Sequence, residues 1–585
     1  MNPRTRSSRI VIVLVGLEIC LAILIGRLFL IQSLYGEEIR GSSEHQRQKQ
    51  VQSQVKRGKI VDRHRSVFAI NRALVSVYAD PKAMNADPKK VARKLVPLLH
   101  APEEKLLSVL QKKNRRFVWL QRNLDYNRLE EIRKVTKHIH GVGYQIHAKR
   151  FYPKDKLACH IVGYTNFANK GMEGIEHQYE AYLRECETSR SPVADPQEKF
   201  VATDGKRRPI RLPQLYQDAS VNGSNIVLTF DEYIQHITEK ELIAGCKKWQ
   251  AKGASAIVMH SKSGEILAMA NYPGYNLNRY SKSEELAKRN LAIWMQYEPG
   301  SVFKIVTASA VLNEKLMSPD SPEYCEMGEY RLANGHVIHD VKPNAWLTLS
   351  EIIQKSSNIG IIKAASRLGR ERLENYTRRF GFGEKTGIEL PYEKAGSLRG
   401  LQKWDDYSVA AVPFGQGISA TPMQVLNALN VIATRGVLVQ PYIIQQIVDD
   451  DGKPLKQSHP KPIHRVMSAE SAKEMTKMLV QVTEAGGGRN ARVKGYRVAG
   501  KTGTAQKAEQ GKGYVAGKVI NTFAGFLPAE EPLISIVVVV DEPAGAPLSS
   551  HVTAPIFQKI ADQVMRYLSQ KNLFAHKSAE NYETN

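Results

Sequence analysis

The 585-residue chain is too long for one hydrophobic core, and its 42% apolar content supports two or three folded domains and excludes a disordered polymer. Lys and Arg outnumber Asp and Glu by 83 to 58, a formal charge of +25, which suits an anionic surface or polymer. The basic residues come without zinc-finger spacing or a ribonucleoprotein signature, so no nucleic-acid partner is expected; the five cysteines (Cys20, Cys159, Cys186, Cys246, Cys325) form no C-x-x-C pair, which indicates neither a metal site nor a disulfide framework.

In chain order, Arg4, Arg6 and Arg9 precede an apolar run over 10–31 that is broken only by Glu18 and Arg27. The run is long enough to cross a bilayer, and the arginines before it place residues 1–9 in the cytoplasm and the rest of the chain outside. It continues into Gln32-Ser33-Leu34-Tyr35 with no small-x-small cleavage site, so the span is expected to stay as an anchor. A polar juxtamembrane linker, 32–56, leads into a first α+β domain over 57–220 that has no catalytic signature. Helical periodicity marks 88–110 and 124–135 there, and the charge-, Pro-, Ser- and Gly-rich stretch 185–222 reads as an irregular arm. A second domain, 221–568, begins with strands at 225–230, 255–260 and 265–270 and ends with strands at 521–527 and 533–540. Helices fill the interval, which implies a sheet assembled from distant parts of the chain. The polar tail 569–585 is expected to be flexible.

Three short motifs in the second domain carry chemistry. Ser301-Val302-Phe303-Lys304 follows Tyr297-Glu298-Pro299-Gly300 and opens an apolar helical stretch at 305–312, so Pro and Gly mark a turn into a helix start. A serine hydroxyl needs a base to become a nucleophile, and a residue three positions along a helix lies on the same face. Lysine serves as that base only with a lowered pKa, which burial and a neighbouring cation provide. Ser356-Ser357-Asn358 forms S-x-N on the stretch 349–365, helical in pattern; alone it reads as a helix cap or a polar turn. Lys501-Thr502-Gly503-Thr504-Ala505 forms K-T-G just before the closing strands. Two of the motifs have decoys: Ser53-Gln54-Val55-Lys56 in the juxtamembrane linker and Lys385-Thr386-Gly387 in a glycine-rich loop.

The ordered set resembles the penicillin-recognising serine enzymes. With Arg57-Gly58-x-Ile60-x-Asp62-Arg63, Gly171-Met172-Glu173-Gly174-Ile175-Glu176, Tyr297-Glu298-Pro299-Gly300 and Gly415-Gln416-Gly417-Ile418-Ser419-Ala420-Thr421-Pro422, the chain resembles class B penicillin-binding proteins from the anchor to about residue 568. The forms of the S-x-N and K-T-G motifs are similar to those of the cell-division (FtsI) type, with elongation- and sporulation-specific relatives as alternatives. Arg65 departs from the family pattern, which has glycine there, and puts the turn at 63–66 in question.

The resemblance implies an α+β fold: a transmembrane helix, an elongated non-catalytic pedestal of the dimerisation type over 57–220, and a transpeptidase domain with an antiparallel sheet flanked by helices. No glycosyltransferase domain is expected. It further implies that Ser301 attacks the bond between two terminal D-alanines and holds the peptide stem as an ester until an amine of a neighbouring stem takes it. The N–H groups of Ser301 and Thr504 then form the oxyanion hole, Ser356 relays a proton, and Asn358 binds the substrate amide and orients Lys304. Lys501 supplies positive potential, and Thr502, Gly503 and Thr504 form the binding strand for the terminal carboxylate. Whether Lys304 or another group is the base stays open. No metal or organic cofactor is needed. The implied partners are peptidoglycan stems, β-lactams, and a polytopic septal glycan polymerase with other division proteins, met through the span, where Glu18 faces the polymerase, and through the pedestal. The implied location is the bacterial cytoplasmic membrane at the septum, with the catalytic domain outside. A penicillin-binding sensor or scaffold and a β-lactamase are the rival readings; the intact triplet opposes the first, and the anchor and pedestal oppose the second.

Overall fold

The computed structural model describes residues 15, 17–19, 21–27, 48–50, 57–184, 200–202, 223–509, 513–545 and 547–571. The chain divides into two compact units. In the first, formed by 1–55 and 188–221, residues 15, 17–19 and 21–27 are helical with exposed apolar side chains such as Leu17 and Ile23, and Gln48–Gln50 pairs antiparallel with Phe200–Ala202. No helix of the described residues is long and apolar enough to cross a membrane. Half of the predicted span at 10–31, most of the arm at 185–222 and all of the decoy at Ser53 fall outside the described residues.

The second unit holds everything else and is built on two sheets. One has seven strands, in the order Pro454–Gln457, Ile444–Val448, Asn225–Leu228, Ile60–Val61, Val67–Ala79, Val118–Asp125, with Val142–Phe151 also paired to Val67–Ala79. The long strand Val67–Ala79 carries the sheet into the pedestal, where Val75, Val77 and Ala79 pack beneath helices Pro88–Leu99, Glu103–Leu110 and Leu129–Thr136. The single helical run expected over 88–110 is two helices, because His100 turns left-handed at φ 48 and Pro102 begins the next one. The periodicity at 124–135 begins as the end of a strand; Asp125 then caps the turn Tyr126–Arg128 with its side chain before the helix starts.

The second sheet is antiparallel, in the order Ala499–Glu509, Gly513–Leu527, Ile534–Asp541, Gly253–His260, Ile266–Tyr272. Strands from the two ends of the domain therefore meet at its centre, where all of Ile534–Val540 is buried. An apolar run of this kind must be covered on both faces. Val538 and Val540 pack with residues of Glu232–Trp249 and of the closing helix Ser549–Lys571, such as Ile237 and Phe557. Val537 and Val539 join the larger core that contains Met423 and Leu426 of Pro422–Ala433 and Val306 of Lys304–Asn313. The closing helix runs past residue 568 into the stretch expected as tail, and 572–585 lie outside the described residues.

The two motifs of the pedestal meet in a buried ion cluster. Glu176 binds Arg57 Nε and Arg150 Nε, each at 2.5 Å, with all three side chains almost wholly buried. Arg57 also donates to the Glu176 carbonyl at 2.6 Å, and Arg150 to the Gly58 carbonyl at 2.7 Å. Nearby, Asp62 accepts from Ser66 N at 2.7 Å and from Glu232 N, at the start of a catalytic-domain helix, at 3.1 Å. Arg65 sits in that turn at φ 69, so the glycine-type backbone is kept with arginine bearing the left-handed strain.

Candidate active site

Gly300–Phe303 is a 3-10 turn that runs directly into the helix Lys304–Asn313. Gly300 (φ +55) donates its N–H to the Gly415 carbonyl at 3.1 Å, and a Cβ on Gly415 would lie 2.3 Å from the Gly300 oxygen, so the Gly415-Gln416-Gly417 motif packs against the serine turn backbone to backbone. Tyr297 and Ala420 exchange backbone hydrogen bonds at 3.0 and 2.8 Å, which ties the segments before and after these turns together. Ser301 is half-buried, while Lys304, three positions on, is wholly buried.

The stretch 349–365 is not one helix. Leu349–Lys355 is started by a Thr348/Glu351 capping box and stops at Ser356, which is left-handed at φ 61; Ser357 then caps a second helix, Asn358–Leu368. This reversal aims both oxygens of Ser356 at the serine helix. Lys304 Nζ donates to Ser356 O at 2.5 Å and to Asn358 Oδ1 at 2.8 Å and lies 3.2 Å from Ser356 Oγ.

Asp340, which sequence reading missed, sets this corner. It follows the small hairpin of Glu329–Arg331 and Val337–His339, and its carboxylate accepts from Ser357 Oγ and Asn358 N, each at 2.5 Å, and from Ile359 N at 3.2 Å. The His339 carbonyl takes one N–H of the Asn358 amide at 3.0 Å, which leaves the amide oxygen facing Lys304. The only sequence signal was an acid a short distance before S-x-N. A cap supplied from another element has no fixed spacing to read.

Lys501 enters from the edge strand of the antiparallel sheet. It is wholly buried and donates to Ser356 Oγ and Thr502 O, both at 3.0 Å. The K-T-G motif is thus the start of the strand Ala499–Glu509 itself, not a segment ahead of the sheet. Gly503 is required by contact: a Cβ there would lie 2.8 Å from Val302 Cγ2 and 3.0 Å from Pro299 O, so only glycine lets the strand lie on the serine turn. Thr504 shares a 2.7 Å hydrogen bond with Ser549 Oγ and accepts from Ser549 N at 3.2 Å; Ser549, a second residue missed, begins the closing helix. A serine opening an amphipathic helix was its available signal.

The Ser356 hydroxyl thus stands between two lysine side chains. Burial and the charge of Lys501 hold the Lys304 amine well below the ordinary lysine range, against an upward pull from Asp340. Burial pushes Lys501 down to about 7. A neutral Lys304 has a lone pair to take a proton, and Lys501 carries its charge below about pH 7. Glu298, in the segment before Ser301, accepts from Gly417 N and Tyr514 OH, each at 2.9 Å, and burial raises its pKa.

The other K-T-G is tied up elsewhere. Thr386 donates from N (2.8 Å) and Oγ1 (2.5 Å) to Glu393, and the Gly387 carbonyl accepts from Gln440, which makes a closed loop with Lys385 exposed. Cys159, Cys246 and Cys325 are buried free thiols. Among the described residues no group of three His, Cys, Asp or Glu side chains is placed to hold a metal ion.

A serine, a buried lysine of lowered pKa, a hydroxyl between two lysines and a strand edge open to a peptide together suit acyl transfer. Comparison with known proteins agrees in kind. The family model of the penicillin binding protein transpeptidase domain matches residues 254–562, and that of the penicillin-binding protein dimerisation domain matches 52–228. Stage V sporulation protein D of Bacillus subtilis is 32% identical, covering 96% of this chain and 85% of the relative. Peptidoglycan D,D-transpeptidase FtsI of Escherichia coli is 30% identical, covering 94% and 90%. Among solved structures, penicillin binding protein 3 from Mycobacterium tuberculosis, complexed with aztreonam, is similar with a TM-score of 0.66 and 28% identity, over 89% of this chain and 97% of that one.

Proposed function

The chain belongs to the class B penicillin-binding proteins, and we propose from this that it is a serine peptidoglycan D,D-transpeptidase of septal wall synthesis, working through an acyl-enzyme on Ser301. The convergence of Lys304 and Lys501 on Ser356 Oγ carries the reading. Ser301 attacks the carbonyl between two terminal D-alanines and its proton passes to the neutral Lys304 amine, while the N–H groups of Ser301 and Thr504 hold the oxyanion. Ser356, hydrogen-bonded to both lysines, relays a proton to the departing D-alanine amine. The stem remains as an ester until the amine of a neighbouring stem replaces Ser301. Lys501, Thr502 and Thr504 meet the terminal carboxylate along the strand that Gly503 brings against the turn, and the free N–H of the Asn358 amide meets the stem backbone. β-Lactams enter as mimics of the stem end and stop at the ester.

Residues 10–31 serve as the membrane anchor, with the catalytic domain outside the cytoplasm. Support comes from the helical residues within 17–27, whose leucine and isoleucine side chains are exposed. Glu18 in that span faces a polytopic glycan polymerase that supplies fresh strands, since an ionisable group at that depth is costly without a protein partner.

Two measurements test these readings. Ser301→Ala should abolish covalent labelling by fluorescent penicillin and cross-linked dimer formation on nascent peptidoglycan while far-UV circular dichroism is retained; undiminished labelling removes Ser301 from the mechanism. Exchange of 10–31 for an unrelated apolar helix should abolish co-purification of the polymerase, and survival of both co-purification and division shows that the span is only an anchor. A sporulation role, the reading favoured by the Bacillus subtilis relative, would show as a spore defect with normal division on depletion.

A further inference from the structure

The pedestal sheet has one face sealed by helices and one left open. Val75, Val77 and Ala79 point into the helical core, so their neighbour Tyr78 points the other way. Tyr78 stands opposite Trp119 on one side and Gly143 on the other. A Cβ on Gly143 would lie 2.6 Å from the Tyr78 ring and hydroxyl, so the tyrosine ring lies flat across the glycine. Phe117, half exposed, stacks on it at 5.0 Å and 29°, and Trp119 stands against Phe117 at 86°, 4.8 Å away. Three rings thus form a floor and a wall on an open sheet face.

The segment that carries two of the rings bears charge of one sign. The segment 105–124 contains no acid and includes Lys112, Lys113, Arg115, Arg116 and Arg122. None of those five forms an ion pair among the described residues. The guanidinium of Arg122 lies over the Trp119 ring at 5.1 Å. Asp125 is the only acid of the strands Val67–Ala79, Val118–Asp125 and Val142–Phe151, and Arg72 pairs with it. Unpaired exposed cations are ordinary on a basic protein, and scattered aromatics need no explanation; rings stacked in a fixed platform on an acid-free, basic segment point to a recognition surface.

We propose that this face binds the glycan strand of peptidoglycan, the sugar rings lying on Tyr78 and Phe117 against Trp119 and the stem carboxylates meeting Arg115, Arg116 and Arg122. The ligand's identity rests on the function proposed above; the platform itself does not. Sugar rings are flat on their C–H faces and fit a ring floor of this size, and a polymer bearing a carboxylate on each stem matches the missing acids. A folded protein partner would bury about 800 Å² per side around an apolar core, and three rings ringed by cations do not make one. The pedestal would then hold the strand whose stems the catalytic domain cross-links.

The test is co-sedimentation of the purified full-length protein with isolated sacculi and with stem-free glycan strands, at low and high salt. Phe117→Ala and Arg115→Glu/Arg116→Glu should each weaken sacculus binding about fivefold or more, the usual loss on removing an interface anchor. Penicillin labelling at Ser301 stays unchanged in both and reports that they are folded. Stem-free strands should feel Phe117→Ala but little of the charge reversal, and salt should weaken only the binding that Arg115 and Arg116 provide. Lys89→Glu/Lys90→Glu, an equal charge change on exposed residues of the helix Pro88–Leu99, is the control. Equal weakening by this control means net charge alone holds the wall, and wild-type binding by both test variants removes the site; either outcome overturns the proposal. Loss of binding to an acidic protein but not to sacculi makes the face a protein interface and overturns it as well. Failure of the catalytic reading shows separately, as unlabelled Ser301 with sacculus binding intact.

Discussion

Ser356 occupies a backbone conformation that serine seldom takes and touches both lysines of the site. A hydroxyl that accepts from Lys501 at 3.0 Å can turn its own hydrogen toward the lone pair of a neutral Lys304 at 3.2 Å, whose two N–H groups go to Ser356 O and Asn358 Oδ1, which suits a relay more than a nucleophile. In the mechanism proposed above the two lysines divide the labour through their charges. Lys304 must be neutral to take a proton, so acylation should fall on the acid side as Lys304 becomes protonated. Lys501 must be charged to attract the carboxylate of a penicillin. Its pKa is lowered to about 7, so the ammonium is present below that pH and lost above it, and acylation should fall on the alkaline side too. Lys501→Arg keeps the charge at every accessible pH. The variant is expected to acylate more slowly at its optimum, because a guanidinium does not reproduce the lysine contacts, but to lose the alkaline fall while keeping the acid one. Second-order acylation rates with benzylpenicillin between pH 5 and 9 (about the range over which such proteins stay folded) decide the matter; an unchanged alkaline limb would assign it to another group.

At the scale of elements, the site is a strand laid on a helix start, and Gly503 is where they touch. Gly503→Ala forces the strand off the turn by a fraction of an ångström, and misplacement on the order of 1 Å in an active site costs up to about a hundredfold in rate. Acylation should fall by that order with little change in melting temperature, whereas Lys385→Ala in the decoy loop should acylate almost normally. Equal damage from both would mean that the two K-T-G sequences have been assigned wrongly.

Much of this was legible beforehand. The strands at 255–260 and 521–540, the helix after Ser301 and the three motifs were readable from apolar runs and residue order. The break at Ser356 was not, because Ile352, Ile353, Ile359 and Ile362 keep helical spacing through it and all are buried. Periodicity reports which side chains face the core, and two short helices sharing a core give the same rhythm as one long helix. Asp340 and Ser549 were invisible for a related reason: each acts on a motif in another element, and the sequence holds no distance between elements. The split at His100 escaped because the residues on both sides of it belong to one apolar face.

Over the whole molecule, the pedestal and the catalytic domain share the seven-stranded sheet through Ile60–Val61 and Asn225–Leu228, and the Arg57, Glu176, Arg150 cluster is buried beside that junction. Removing the acid that joins the two arginines leaves buried Arg150 without a carboxylate, while Arg57 keeps Glu180 at 2.7 Å, and breaking a buried ion pair in this way costs about 3 kcal/mol or more. Glu176→Gln should therefore lower the melting temperature by several degrees and weaken both domains together, seen as one transition in calorimetry; a second transition, with the catalytic domain melting as in wild type, would show the domains to be independent. The pairing of distant strands in the antiparallel sheet bears on the order of events at synthesis. Ile534–Asp541 separates Gly253–His260 from Gly513–Leu527, so the ribosome must have passed residue 541 before the centre of that sheet exists. Ser301 is made about 240 residues before that point and waits, and its two lysines come under one roof only once the strand 534–541 has been made. A chain arrested or clipped before residue 534 carries Ser301 but lacks the central strand of the sheet whose edge seats Lys501. Copies that stop short of that strand are thus expected to form no acyl-enzyme with a stem or a β-lactam, and the capacity to react arrives only with the strand 534–541.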